Sequence, residues 1–197
     1  GRHVVSGDGT VLRSALPRVP AWRWQRLLFA QVLPLSAALQ GLALLHASAV
    51  ALGGKALAFT APSGTGKTSV AAHLVARGAS FLTDDALAIE PTAGGLLAHP
   101  GAGMASIDDK EWQAMSPEGR ARFGRRLGRS DKSHFALAVP ERPLPLAAVY
   151  FLRRDGHADR FSIEQRRTVD PGRLLGSAFV NFVRTPEHLT RQLEACA

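Results

Sequence analysis

Cysteine occurs once in this chain of 197 residues, at Cys196, and tyrosine once, at Tyr150. A lone cysteine excludes an intramolecular disulfide and any metal site built from several thiolates, and it points to a reducing, cytoplasmic setting. Lysine is nearly as scarce, four residues against twenty arginines, so each lysine stands out. Acidic side chains number 16 against 24 basic ones, which leaves a formal charge of +8. Such a balance raises nucleic acid or an acidic substrate as partners, but no DNA- or RNA-recognition motif accompanies it, and no nucleic acid is expected. A cleavable signal peptide is not recognisable. The chain opens on Gly1 without an initiator Met, read as missing residues or a tag remnant. The apolar stretch 27–45 is interrupted by Gln31, Pro34, Ser36 and Gln40, so it reads as core and no membrane partner is expected. At 46% hydrophobic residues this length suffices for one α/β core. A single domain over 1–197 is expected, with 1–44 as an N-terminal hairpin and helical segment packed on it.

The run Ala61-Pro62-Ser63-Gly64-Thr65-Gly66-Lys67-Thr68 has the form of a Walker A phosphate loop. Glycines at 64 and 66 allow conformations closed to residues with a Cβ, so successive amides, those of Ser63 to Ser69, can converge on an anion. Lys67 would reach the β/γ oxygens of a nucleotide, Thr68 would offer its hydroxyl to Mg²⁺, and the helix that starts here contributes its positive end. The pattern usually opens on glycine; Ala61 would cost up to ~1 kcal/mol if that position needed a positive φ. The context suits the reading: residues 56–60 form an apolar strand pattern, and Ser69–Arg77 a helix closed by Gly78. ATP and Mg²⁺ are the implied cofactors.

Elsewhere, residues 3–12 suggest a hairpin turning at Gly7-Asp8-Gly9, and 21–45 a helical pattern with a break near Pro34 and a stop at Gly41. Residues 47–52 and 55–59 read as two strands across the Gly53-Gly54 turn, feeding the loop. A short strand at 79–82 ends in Thr83-Asp84-Asp85, and 86–90 with 96–99 form another hairpin. Ser106–Met115 looks like a capped helix. Arg120, Arg122, Arg125, Arg126 and Arg129, interleaved with glycines, read as a mobile loop, either a solvated surface, a lid over phosphates or a strip for an acidic peptide. Strands follow near 135–139, 146–153 and 160–165, then helices at 171–183 and 186–195.

Asp84 and Asp85 lie at the C-terminal end of a strand expected beside the loop, where α/β sheets place ligands. One carboxylate there can hold Mg²⁺ and the other can take a hydroxyl proton; two adjacent charges repel unless a cation balances them. His46 lies 21 positions before Lys67, and the two aspartates 17 and 18 after it. With Leu45, the glycine-turn hairpin, Ser63–Thr68, Arg77-Gly78 and Thr83-Asp84-Asp85, over roughly residues 44–90, this resembles the catalytic domain of bacterial HPr kinase/phosphorylase. The resemblance implies an α/β fold of the HPr-kinase-like, phosphoenolpyruvate-carboxykinase-like kind, a P-loop-containing sheet flanked by helices. It implies that Asp84 is the general base toward a serine hydroxyl, supported by His46, with Asp85 and Thr68 on the metal side. The glycine-containing signature and the Arg-Asn-rich segment that such kinases carry later are absent between Glu90 and Arg154, which argues against phosphorolysis and against HPr as substrate. What is left is similar to shorter HPr-kinase-like proteins, some encoded with lasso peptide biosynthesis, which phosphorylate a precursor peptide. Asp131-Lys132-Ser133-His134 is the candidate second element, Lys132 supplying a cation opposite the loop. The expected activity is ATP-dependent transfer to a serine of a peptide or small protein. Its rivals are a kinase of a small hydroxylated metabolite and a nucleotide-binding regulator without turnover; a homo-oligomer is compatible with each.

Overall fold

The computed structural model describes residues 2–156, 160–166, 171–179 and 190. The chain starts with an antiparallel hairpin, β1 (Arg2–Val5) and β2 (Leu12–Ala15), whose turn holds Gly9 against the main chain of Ser36 so closely that an added Cβ would collide with it. Then come α1 (Ala21–Leu27), a π-helical segment (Leu28–Val32) and α2 (Leu33–Leu39). The break expected near Pro34 is thus a widened turn and not a stop. Pro34 is the second residue of α2, which directly follows the π-helical segment, in a helical run that continues through it. The helical pattern was expected to reach residue 45, but Ala43–Leu45 is the strand β3. All three of its residues are buried, and an apolar run that short does not distinguish strand from helix by period.

A seven-stranded sheet organises the rest. To β3 it adds β4 (Ala47–Leu52) and β5 (Lys55–Thr60), then, after helix α3 (Lys67–Ala76), β6 (Ser80–Thr83), β7 (Leu87–Thr92) and β8 (Gly95–Ala98). Beyond them lie β9 (Met104–Ile107), α4 (Asp109–Ala114), α5 (Pro117–Arg120), β10 (Arg126–Arg129), β11 (Ser133–Ala136), β12 (Leu144–Phe151) and α6 (Pro171–Gly176). The order in the large sheet is β3-β7-β8-β12-β5-β4-β6, while β10, β11 and β9 form a separate antiparallel sheet. Only β12 and β5 pair in parallel; β4 is antiparallel to both β5 and β6. β6 ends beside the loop as expected, Asp84 Oδ1 lying 2.8 Å from Thr68 Oγ1, although β4 stands between it and the loop strand β5. The intervening strand does not move the carboxylates to the far edge, because β5 and β6 run the same way. One sheet edge thus collects the C-terminal ends of β5, β6 and β12 and the start of β4.

Alternation along the strands divides the core. On one face Val50, Phe59 and Phe81 pack with Ala71, Ala72 and Val75 of α3, and with Ile107 and Phe135 of the small sheet. Burying each large apolar side chain there contributes about 1.5–3 kcal/mol. On the other face Ala47, Ala49, Ala56 and Ala58 are wholly buried against Leu82, Leu87 and Ile89.

The arginine-rich segment is ordered. Arg120 donates to the carbonyls of Met115 and Gln113 at 3.0 and 2.8 Å and lies over the Trp112 ring. Arg126 donates to Ser133 Oγ at 2.9 Å, and Arg129 pairs with Asp109. The expected mobile loop is replaced by α5 and β10, because these guanidiniums satisfy main-chain carbonyls and a carboxylate. The strand expected at 160–165 is also absent, residues 160–166 having no regular structure. The helix expected at 171–183 is described only as α6, and the one at 186–195 lies outside the described residues apart from Thr190. Among the described residues no helix is long and apolar enough to cross a membrane.

Candidate functional site

The loop between β5 and α3 turns through Gly64 (φ +78°) and Gly66 (φ +114°), the left-handed conformation that a Cβ disfavours. Gly66 caps α3, and Asp85 is the only non-glycine residue with positive φ among those described. Ala61 therefore needs no glycine, and the cost foreseen for it does not arise. Ser63 and Gly64 are exposed, and the Thr65 amide donates to the carbonyl of Pro62 at 3.3 Å. Lys67 is only 6% exposed: its Nζ donates to the carbonyl of Ala61 at 2.8 Å, folding the ammonium back over its own loop. Burial pushes the Lys67 pKa down, the charges of Asp85 and Asp84 push it up, and Lys132 adds a smaller downward push. Lys132, from the turn between β10 and β11, thus stands within electrostatic reach of the loop lysine. Ser69 Oγ donates to the Glu111 carboxylate, tying the start of α3 to α4.

Asp84 is held from three sides. Its Oδ1 accepts from Thr68 Oγ1 at 2.8 Å and from Ser48 Oγ at 2.6 Å, and the Ser106 amide approaches Oδ2 at 3.5 Å. Burial raises the pKa of this carboxyl above the ordinary range and the Asp85 charge adds to it, while these hydrogen bonds pull the other way. Asp85 adopts φ +68°, a left-handed conformation that Asp tolerates better than most residues, at a turn where Thr83 Oγ1 donates to the carbonyl of Ala86 at 2.7 Å.

His46 meets the other aspartate's backbone and not the Asp84 carboxylate. Its Nδ1–H donates to the main-chain carbonyl of Asp85 at 3.0 Å, its ring stacks on Phe179 at 5.7 Å, and its amide donates to the carbonyl of Ser177 at 2.6 Å. The expected His46–Asp84 pairing is corrected accordingly. The cause is topological: at His46 the chain leaves β3, paired with β7, and enters β4, paired with β5 and β6. The donor role of Nδ1 leaves the lone pair of a neutral ring on Nε2.

Three contributors escaped the sequence. Ser48 is a fully buried hydroxyl in an otherwise apolar strand, and that isolation is the signal that could have found it. Ser106 links Asp84 to His134, and Arg154, just past β12, donates from Nε to the carbonyl of Thr65 at 3.2 Å. Nothing in the local sequence marked either.

His134 is wholly buried and stacked on Trp22 at 4.9 Å, with Nε2 3.0 Å from Ser130 Oγ and Nδ1 2.9 Å from Ser106 Oγ. Because Ser130 Oγ donates to Asp131 at 2.6 Å, its oxygen accepts from Nε2–H, and Nδ1 accepts from Ser106 in the neutral ring. Burial lowers the His134 pKa below 6.5, with Arg26 and Lys132 acting in the same direction and Asp131 against it. A folded pKa below the unfolded one makes the unfolded chain take the proton first. Stability is thus intact above pH ~6.5 and declines as pH falls through the folded value. Thermal unfolding at stepped pH should show this decline, and His134→Gln should flatten it.

Gly101 closes the turn from behind. Its amide donates to the carbonyl of Leu82 at 2.8 Å, and a Cβ would lie 2.2 Å from Thr83 Oγ1 and 2.8 Å from Thr83 Cβ. Gly101→Ala is expected to cost about 1–3 kcal/mol in urea denaturation, the range for overpacking a filled site, because Thr83 cannot rotate away without losing its bond to Ala86.

A cavity of about 360 Å³ opens onto Asp84 and Asp85 beside the N-terminal helical segment. Among the described residues no cluster of three or more His, Cys, Asp or Glu could cage a metal. The hydroxyl of Thr68 and the carboxylate of Asp84 are hard oxygen donors on adjoining elements, a set suited to Mg²⁺ only when phosphate oxygens and water complete its six positions.

The chain matches no protein-family model and no curated protein. A solved structure of the Hpr(Ser) kinase/phosphatase from Coxiella burnetii is similar in part, with 18% identity and a TM-score of 0.30, over 34% of this chain and 42% of that one. The chain therefore spans less than half of that neighbour's length, and a likeness at this level carries no argument about fold or function.

Proposed function

We propose that the protein is a Mg·ATP-dependent kinase that transfers the γ-phosphoryl group to a hydroxyl. The observation that carries this reading is the bond from Thr68 Oγ1 to Asp84 Oδ1, which joins the first turn after a glycine loop to the carboxylate at the end of β6. The amides of Ser63 to Ser69 would cradle the phosphates, and Lys67 would exchange the Ala61 carbonyl for the β/γ oxygens. Thr68 and Asp84 would hold Mg²⁺, which, when bound, neutralises charge on the transferring group.

Asp84 already accepts two hydroxyls and is the carboxylate nearest Thr68, so the proton-accepting role falls better to Asp85. This reverses the division that the resemblance implied. His46 would orient the turn through the Asp85 carbonyl. In the transfer the acceptor oxygen bonds to the γ-phosphorus and the bond from that phosphorus to the β,γ-bridging oxygen breaks. ADP leaves with the electron pair, and the hydroxyl proton passes to the Asp85 carboxylate. Lys132, and Arg154 at Thr65, would supply the cations that stabilise the migrating charge.

A serine of a peptide or small protein is the first acceptor reading. A small hydroxylated metabolite is the second, favoured by the cavity of about 360 Å³ at the aspartates. Incubation with γ-labelled ATP and Mg²⁺, with peptide pools and with small hydroxy compounds, tests both. Nucleotide binding with no label transferred to any acceptor would instead support a regulator without turnover.

A further inference from the structure

The cavity beside the aspartates is bounded on one side by the π-helical segment and α2, which contribute Phe29, Ala30, Leu33 and Pro34, and on the other by the Thr83–Ala86 turn and residues 99–102. No residue of the loop 61–68 lines it. The cavity thus meets the two aspartates away from the loop, whereas Thr68 meets Asp84 from the loop side. A kinase of the proposed kind needs that arrangement, since donor and acceptor must meet in line at the γ-phosphorus from opposite sides.

The lining restricts what can enter. Its volume lies at the low end for ligand sites, too small for a folded surface and enough for one compact molecule. Its walls are mostly apolar. Arg26 is the cation of the lining that carries a full charge at neutral pH. It is exposed, and its charge is felt by Asp131 and His134, but it forms no ion pair among the described residues. A π-helical turn is a rare element that recurs at functional sites, and here it places Phe29 and Ala30 in the wall. Trp22, two turns before Phe29, packs its indole on Gly128, where a Cβ would lie 2.3 Å away, and on His134. The wall is therefore fastened to the sheet that carries Lys132.

We infer, resting on the kinase reading, that this cavity is the acceptor site and that it takes a small hydroxylated molecule with an apolar body and one anionic group. The hydroxyl would lie at Asp85, the body against Phe29 and Leu33, and the anion at Arg26.

The test uses the full chain and three probes: 3-phenyllactate, 3-phenylpropionate, which lacks the hydroxyl, and phenyllactamide, which lacks the charge. Calorimetric titration should show phenyllactate binding more tightly than either analogue. Arg26→Gln should weaken phenyllactate about tenfold or more and leave the amide unchanged. Ala30→Phe, which fills the cavity, should abolish binding of all three; Arg26→Gln, on an exposed side chain, decides the matter if that variant does not fold. No phenyllactate binding at millimolar concentration, or binding indifferent to Arg26, overturns the inference. So does transfer of label to a blocked serine peptide at a rate that Arg26→Gln and Ala30→Phe leave unchanged. Mg·ATP binding, measured separately in both variants, should be unaltered; its absence from the unmodified protein would instead refute the kinase reading.

Discussion

Lys67→Ala is expected to lower phosphoryl transfer by ~10²-fold or more while the protein stays folded, the magnitude typical of removing one preorganised charge contact to a transition state. The fold should survive because the ammonium is not an apolar core group: it is desolvated and held by one carbonyl, that of Ala61. Its removal also takes away a cation that feels the charges of Asp85 and Asp84. Steady-state kinetics with γ-labelled ATP and a thermal melt on the same preparation measure both effects. Full activity in a folded Lys67→Ala protein would remove the phosphate-loop assignment.

The two aspartates should separate sharply. Asp85→Asn is expected to retain Mg·ATP binding and lose about 10²–10⁴-fold in transfer, the contribution of a general base. Asp84→Asn should weaken Mg²⁺ first, raising the concentration needed for nucleotide binding. It should also stabilise the nucleotide-free protein near neutral pH. An acid whose folded pKa is raised has its charged form disfavoured by folding, so stability is lost as pH rises from the unfolded value, 3.8, through the folded one. The amide variant removes that loss, and the Ser48 and Thr68 hydroxyls can still donate to its Oδ1. Nucleotide titration at varied Mg²⁺, with melts across pH, reads both variants. Weaker Mg²⁺ binding in Asp85→Asn and not in Asp84→Asn would restore the opposite division of roles.

Local chemistry made much of the site legible in the sequence. Gly64, Gly66 and the Lys67-Thr68 pair needed only their spacing, because a loop of this kind is built from neighbouring residues whose φ values glycine alone adopts easily. The β4–β5 hairpin and the α3 boundary at Gly78 followed from turn and cap chemistry in the same way. Asp84 and Asp85 could be placed at a strand end for that reason too. The separate sheet of β9, β10 and β11 was legible only in part: the strand expected near 135–139 overlaps β11, but the strands are four residues long and β9 pairs with β11 across α4 and α5.

The sequence by itself determined the glycine loop with its Lys67-Thr68 pair and which carboxylates follow the next strand, because those are properties of contiguous segments. Tertiary structure alone decided which groups meet. Insertion of β4 between β5 and β6 put Ser48 under Asp84, and the exchange of strand partners at His46 turned its ring to the Asp85 carbonyl. Parallel pairing of β12 with β5 delivered Arg154 to Thr65. Each of these contacts joins residues dozens of positions apart, and hydrophobic periodicity reports which face a side chain takes, not which strand becomes its neighbour.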